Sequence, residues 1–431
     1  MMTSDFLDSY YEATVHRSTY PAQAGRTTTR VCILGGGLAG LSTALGLTER
    51  GVTDVTLLEA ERIGHGASGR NGGFVFGGYS LGNAELLATL GASEARRLYQ
   101  LTLDAVELIR QRTRQYAIDC DLVDQGVILA NWFNDPSRLD KPRQLMKEAY
   151  GVDWAYLSPG QLQEQLKSER YYGGLLERNA FHFHPLKYVC GVARAARDAG
   201  VTLFEHSPVT QIEKKAGGGY IVRTAQGEVH AEEVVFCGGG YARGVHAPVE
   251  RAVLPIATYV VATPPLGERL QDAIACQAAI YDTRFAFDYY RPLQDTRILW
   301  GGRISILDRG PQAIAKLLKA DLVNVYPQLE DVQLQYAWGG LMSYGRHQMA
   351  QIGQDEQGIW HAVGFGGHGM APTTVAGEVL ADAIARQLPV PQGFARFGLE
   401  RTYGLAGMLA AQATYSAYQA RDAFDARRLN R

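Results

Sequence analysis

The sequence predicts a mixed α/β (α+β) fold, in which a parallel-sheet nucleotide-binding domain is interleaved with a second domain built on a mixed β-sheet. Three observations carry this expectation. A strand, a glycine cluster, a helix and a second strand follow one another from Val31 to Glu59; strands running into glycines return near residues 233–240 and 360–369; and the stretches between them change to long helical or alternating aromatic patterns.

The bulk numbers set the frame. A chain of 431 residues accommodates two ordinary domains, and 46% hydrophobic with 20% charged residues is a globular composition with a sizeable core. The formal net charge of −2 offers no basic face to nucleic acid. No run approaches the roughly 18–20 apolar residues of a membrane span. The first 25 residues carry neither a signal-peptide core nor an Arg-rich amphipathic pattern, so no integral membrane association is expected. Cys32, Cys120, Cys190, Cys237 and Cys276 lie far apart without a CxxC pair. Dispersed cysteines favour reduced thiols and a cytoplasmic setting, and predict no metal site.

The opening unit is the most specific. Val31–Leu34 is a short apolar run, as a buried parallel strand requires. Gly35, Gly37 and Gly40 form GxGxxG at the start of a helix whose first residues are Leu38 and Ala39, and "DVTLLEA" is the next strand, ending at Glu59 and Ala60. The first glycine makes the tight turn, the second admits a pyrophosphate against the backbone, and the third lets helix and strand pack closely. The phosphates then meet the helix N-terminus. Glu59 stands 19 residues beyond Gly40 at a strand end, placed to accept from ribose hydroxyls. This is a Rossmann-type dinucleotide site. Directly after it, "RIGHGASGRNGG" holds five glycines together with Ser68, Arg70, Asn71, Gly72 and Gly73. A second glycine-rich loop suits FAD, whose pyrophosphate and ribityl chain thread further across the protein, more than it suits NAD.

Further elements follow in order. From about residue 85 the pattern is helical; "DCDLVDQGVILA" is strand-like; a helix over "PLKYVCGVARAARDAG" leads to a hairpin with Gly217–Gly219 at its tip and to the buried strand "VVF" before Gly238. "VLPIATYVVATPP", "RFAFDYYRPL" and "TRILWGGRISI" read as aromatic strands. "WHAVGF" then meets Gly366, Gly367, His368, Gly369 and Met370, with Pro372 in the first turn of a helix. "TYGLAGMLAAQATYSAYQARDAF" is one semi-apolar helix expected to pack on the body.

The GxGxxG motif, its acid and "GASGRNGG", with "SYYEAT" and "GFGGHGM" near the two ends, resemble the D-amino-acid oxidase superfamily of flavoenzymes, specifically its gamma-glutamylputrescine oxidase-like branch. The resemblance implies an FAD-binding domain from 28–85, 178–245 and 340–400, a substrate domain from 86–177 and 246–339, and a C-terminal helix and tail at 401–431. It implies that Val209 faces the adenine, that Gly238 packs near the cofactor, and that the His368 loop lies at the flavin. It also implies oxidation of a C–N bond of an amine or amino acid to an imine by hydride transfer to flavin N5. Oxygen or another electron carrier would reoxidise the flavin. No cysteine occurs in "GFGGHGM", so FAD is expected to be non-covalent.

Orienting groups are sought among Tyr259, Tyr290, Arg346 and His368. Each tyrosine serves equally well as a core residue, and Arg346 can pair either with a substrate carboxylate or with a protein acid. Two departures from the resembled pattern bear on substrate and acceptor. Leu341 and Met342, rather than an arginine, follow Trp338-Gly339-Gly340, and the strand "RILWGG" lacks an oxygen-activating lysine. A cyclic secondary amino acid as substrate, or a dehydrogenase passing electrons to a quinone or carrier, are the alternatives.

Overall fold

The computed structural model of the protein describes residues 9–430. Residues 1–8, where the stretch read above as lacking a leader begins, and Arg431 lie outside the described residues.

Strand Gly25–Leu34 is the centre of the first sheet. Its inner half, Val31–Leu34, is flanked in parallel by Val55–Leu58 on one side and Gly227–Phe236 on the other, so that Leu34 lies beside both Leu58 and Phe236. Thr202–Phe204 extends one edge in parallel, and Trp360–Val363 followed by antiparallel Gln351–Gln354 extends the other. The hairpin Val209–Lys214 and Tyr220–Thr224, with the predicted glycines at its tip, hangs on Gly227–Phe236. A parallel sheet covered on both faces needs apolar residues all round. That is why helix Leu38–Glu49 is buried continuously from Leu38 to Leu47.

This helix crosses helix Met370–Arg386 at small residues, where a Cβ on Gly377 would meet Ser42 at 2.5 Å. Arg112, 1% exposed, ties both to a third helix, Ala92–Gln115, through Glu49 and Glu378.

The second sheet runs Tyr336–Tyr344, Leu254–Ala262, Ile298–Ser305, Tyr289–Pro292, Ala279–Asp282, Val127–Ala130, Gly174–Glu177, Ala155–Leu157. All its pairings are antiparallel except that of Ala279–Asp282 with Val127–Ala130, so the sheet is mixed. Helix Pro311–Val325 covers one face with Ile314, Leu318 and Leu322, against Trp300 and Tyr290.

Two boundaries differ from the expected division. Helix Ala92–Gln115 buries Leu98, Val106 and Ile109 in the same core as Ile33, Leu41 and Leu45, so this part of 86–177 packs on the nucleotide-binding layer. Strand Tyr336–Tyr344 lies wholly in the second sheet, across the 339/340 boundary. An amphipathic stripe records that a helix has a partner but not which one, and this is where the sequence reading went astray.

Candidate active site

One cavity of about 1380 Å³ runs from the first glycine cluster to the second sheet. Pockets for a single small molecule are commonly about 300–1,000 Å³, so this one has room for a dinucleotide and a second molecule together.

At the nucleotide end the geometry follows from the glycines. Gly35 has φ +112°, and a Cβ on Gly40 would collide with the Gly35 carbonyl, so helix and strand approach only because both are bare. Ser68 accepts from the Leu38 N–H at 2.9 Å, tying the second glycine loop to the helix start. Glu59 accepts from Gly36 N–H at 2.6 Å and Glu61 N–H at 2.9 Å. Burial pushes its carboxyl pKa up, and these two N–H groups partly offset that. Val209 and Gly238 line the cavity beside it, with Ala39 and Ala60.

The second loop is gripped from behind. Four consecutive carbonyls accept hydrogen bonds from four different segments: Arg70 from the Trp338 indole (3.0 Å), Asn71 from the Tyr11 hydroxyl (2.8 Å), Gly72 from Arg291 Nε (2.7 Å) and Gly73 from Phe183 N–H (3.0 Å). Asn71 Oδ1 in turn accepts from Gly73 N–H. The Arg291 guanidinium is 2% exposed and also donates to the Phe183 carbonyl and Tyr11 hydroxyl. Tyr11 is not singled out by the sequence reading above. The repeated aromatics of "SYYEAT" were the available signal.

At the far end, Gly367, Gly369 and Met370 line the cavity where helix Met370–Arg386 begins, with no side chain capping the helix start. The His368 ring lies 4.2 Å from Phe76, and its Nε2 donates to the Phe76 carbonyl. Burial lowers its pKa to about 4, so it is a neutral donor at neutral pH. Arg346 lines the mouth, exposed and over the Tyr403 ring at 5.9 Å, with no ion pair among the described residues.

Two candidates do not reach the cavity. Tyr259 is in the second core and donates to the Leu307 carbonyl at 2.5 Å. Tyr290 stacks on Trp300 with ring centroids 4.3 Å apart and bonds Tyr171. Their neighbours Thr258 and Tyr289 line it instead. Successive strand residues face opposite sides, so a tyrosine pair such as Tyr289 and Tyr290 contributes one ring to the cavity and one to the core. The Tyr289 ring fits because Gly72 and Gly301 lack side chains there.

A glycine cradle, an acid at the adjoining strand end and a cavity long enough for a second ring system fit FAD. Residues 30–383 match the family of FAD-dependent oxidoreductases. The chain belongs to this family. Gamma-glutamylputrescine oxidoreductase of Escherichia coli is 33% identical over 88% of this chain and 89% of its own. A probable oxidoreductase OrdL of Haemophilus influenzae is 33% identical over 82% of each chain. Glycine oxidase from Geobacillus kaustophilus superposes with a TM-score of 0.73 at 21% identity, covering 87% of this chain and 99% of that one, and shares the fold. FAD is therefore the cofactor of this oxidoreductase, and the residues just described are those that would hold it. No helix among the described residues is long and apolar enough to cross a membrane.

Proposed function

We propose that this FAD-dependent oxidoreductase oxidises a C–N bond of an amine or amino-acid derivative, with oxygen as electron acceptor in a reducing, cytoplasmic setting. Bound FAD supplies the acceptor for the hydride that leaves the carbon beside nitrogen. The chain's residues do the rest. Phe76, Tyr281 and Tyr289 form aromatic walls that exclude water and bind the substrate's carbon skeleton. Leu341 and Met342 line the cavity where an arginine would fix a free amino acid's carboxylate, which favours an amine or a larger derivative. Arg346, unpaired at the mouth, is placed to take a carboxylate further out. Neutral His368, its one N–H committed to the Phe76 carbonyl, leaves Nδ1 as an acceptor, and the uncapped Met370 N–H at the helix start is a donor; neither adds a titrating charge.

The observation that carries the reading is the continuous cavity from the Glu59 end to this aromatic wall, together with the relatives' named substrate. The two-electron loss from carbon gives an imine, which water hydrolyses to a carbonyl and a released amine. The test is product analysis of purified protein supplied with gamma-glutamylated amines, polyamines and D-, L- and cyclic amino acids. One class yields equal amounts of carbonyl and released amine, with peroxide under air. No carbonyl product from any class counts against C–N oxidation, and product formed only with an added quinone or carrier overturns the oxygen assignment.

A further inference from the structure

Strand Tyr336–Tyr344 ends against the loop at 364–369, and the join is fixed at several points. Gly366 N–H donates to the Ser343 carbonyl at 2.7 Å, Gly364 N–H donates to the Ser343 hydroxyl at 3.3 Å, and Tyr344 bridges to Phe365. Gly366 has φ +60°, and a Cβ there would collide with the Ser80 side chain and stand 2.9 Å from the Tyr344 ring, so the loop closes on these two residues only because it is bare at that position. Successive strand residues face opposite sides. Ser343 is turned into the join and is 7% exposed, whereas Met342 and Tyr344 on either side of it are partly exposed in the cavity.

Tyr344 and Ser80 bring two hydroxyls together at this point. Both residues are partly exposed and line the cavity. The Ser80 hydroxyl and the Gly367 N–H lie beside the Tyr344 oxygen, offsetting part of the rise that burial gives its pKa. No hydrogen bond of normal geometry to that oxygen is closed among the described residues, yet it is not one of the sealed atoms, as the Tyr99 and Tyr188 hydroxyls are, so it keeps surface in the cavity. With Ser80 and Gly367 directing their hydrogens to the oxygen, the Tyr344 proton is left for a group in the cavity. The pair therefore offers a donor and adds no charge.

The surroundings decide what this donor suits. Met342 stands beside it, where a cation would be needed for a carboxylate. Arg284 and Arg303, which also line the cavity, are committed to Asp282, Asp288 and Asp321, and Arg346 stands further out, exposed. Among the described residues, the acids that line the cavity are Glu59 and Glu61, both at its nucleotide end. A charged group beside Tyr344 would lose water without gaining a counter-charge, whereas a neutral oxygen needs only the donor. We infer that Tyr344, backed by Ser80, is a specificity-determining residue of the substrate chamber, and that its hydroxyl donates to the uncharged oxygen of an amide carried by the amine substrate. The inference rests on the C–N oxidation reading above and adds the substrate's second functional group.

The test uses holoprotein and two amines of equal chain length, N-acetylputrescine, which carries an amide, and n-heptylamine, which does not. The parent protein prefers the amide in kcat/KM. Tyr344→Phe lowers that preference about tenfold, equivalent to about 1.4 kcal/mol, and does so through KM. Ser80→Ala lowers it in the same direction by less. N-butylacetamide, which has no amine to oxidise, is read by its perturbation of the flavin spectrum and binds Tyr344→Phe about tenfold more weakly than the parent, while apoprotein of the variant takes up FAD with unchanged Kd. An unchanged preference, or an equal loss for both amines, overturns the inference and leaves the C–N reading standing. Weaker FAD uptake with the preference intact overturns it too, by giving the hydroxyl to the cofactor. If neither amine reduces the parent's flavin while another class does, the inference alone fails; if no amine or amino acid does, both fail.

Discussion

At the scale of single residues, the site is held by a few groups whose removal has distinct signatures. Glu59 is the acid at the end of strand Val55–Leu58, already aligned by Gly36 and Glu61 N–H groups. Glu59→Ala removes a charged acceptor from ribose hydroxyls and should weaken FAD binding about 10–100-fold, since such bonds contribute about 1.5–3 kcal/mol. Apoprotein titrated with FAD reads this directly, and an unchanged Kd would remove Glu59 from the site. Arg291 acts differently. Arg291→Lys keeps the charge but loses the fork that spans the Gly72 and Phe183 carbonyls. It should therefore lower both Tm and FAD retention, whereas a surface role would move neither. Arg346→Ala should raise KM several-fold for carboxylate-bearing substrates and leave carboxylate-free amines unaffected; an equal effect on both would make Arg346 a general feature of the mouth.

At the scale of elements, the strand–glycine–helix unit was legible in full because its chemistry is local. Gly35 and Gly40 are dictated by the turn and by helix packing within a few residues of each other. The facing of Tyr259 and Tyr290 was not legible. A one-residue offset exchanges cavity for core, and two adjacent tyrosines, as at Tyr289 and Tyr290, do not say which of them faces which side. Nor was the partner of helix Ala92–Gln115, fixed by long-range contact through Arg112. Arg112→Met leaves Glu49 without its guanidinium partner and Glu378 with Arg50 alone. Both carboxylates are about a quarter exposed (26% and 24%), so the loss should be about 2 kcal/mol, below the 3–5 kcal/mol of a fully buried pair.

Glu177, on strand Gly174–Glu177, supplies a pH test. Burial raises its pKa from 4.5 to about 7, so folding favours its protonated form. Its contribution to stability is greatest below about pH 4.5, falls as pH rises toward 7, and levels off above that. Glu177→Gln should match the parent near pH 4 and exceed it by up to about 3 kcal/mol near pH 8 in urea unfolding. A difference independent of pH would contradict this.

At the scale of the whole molecule, two sheets from alternating stretches of one chain meet across a single cavity, and the C-terminal helix closes one end of it. The alternation was visible in composition. That the last helix is a wall of the cavity was not, since "LAGMLAAQATYSAYQA" shows an uncharged helix without showing what its small residues face. The proposed function requires that FAD in this cavity be reduced by an amine. The most direct measurement is the absorbance of the bound flavin, followed without air while amines and amino acids are added, and then on admitting air. One class is expected to bleach the flavin, and air to restore the colour with release of peroxide. Persistent bleaching in air would assign the electrons to another carrier, and a flavin that no amine or amino acid bleaches would contradict C–N oxidation.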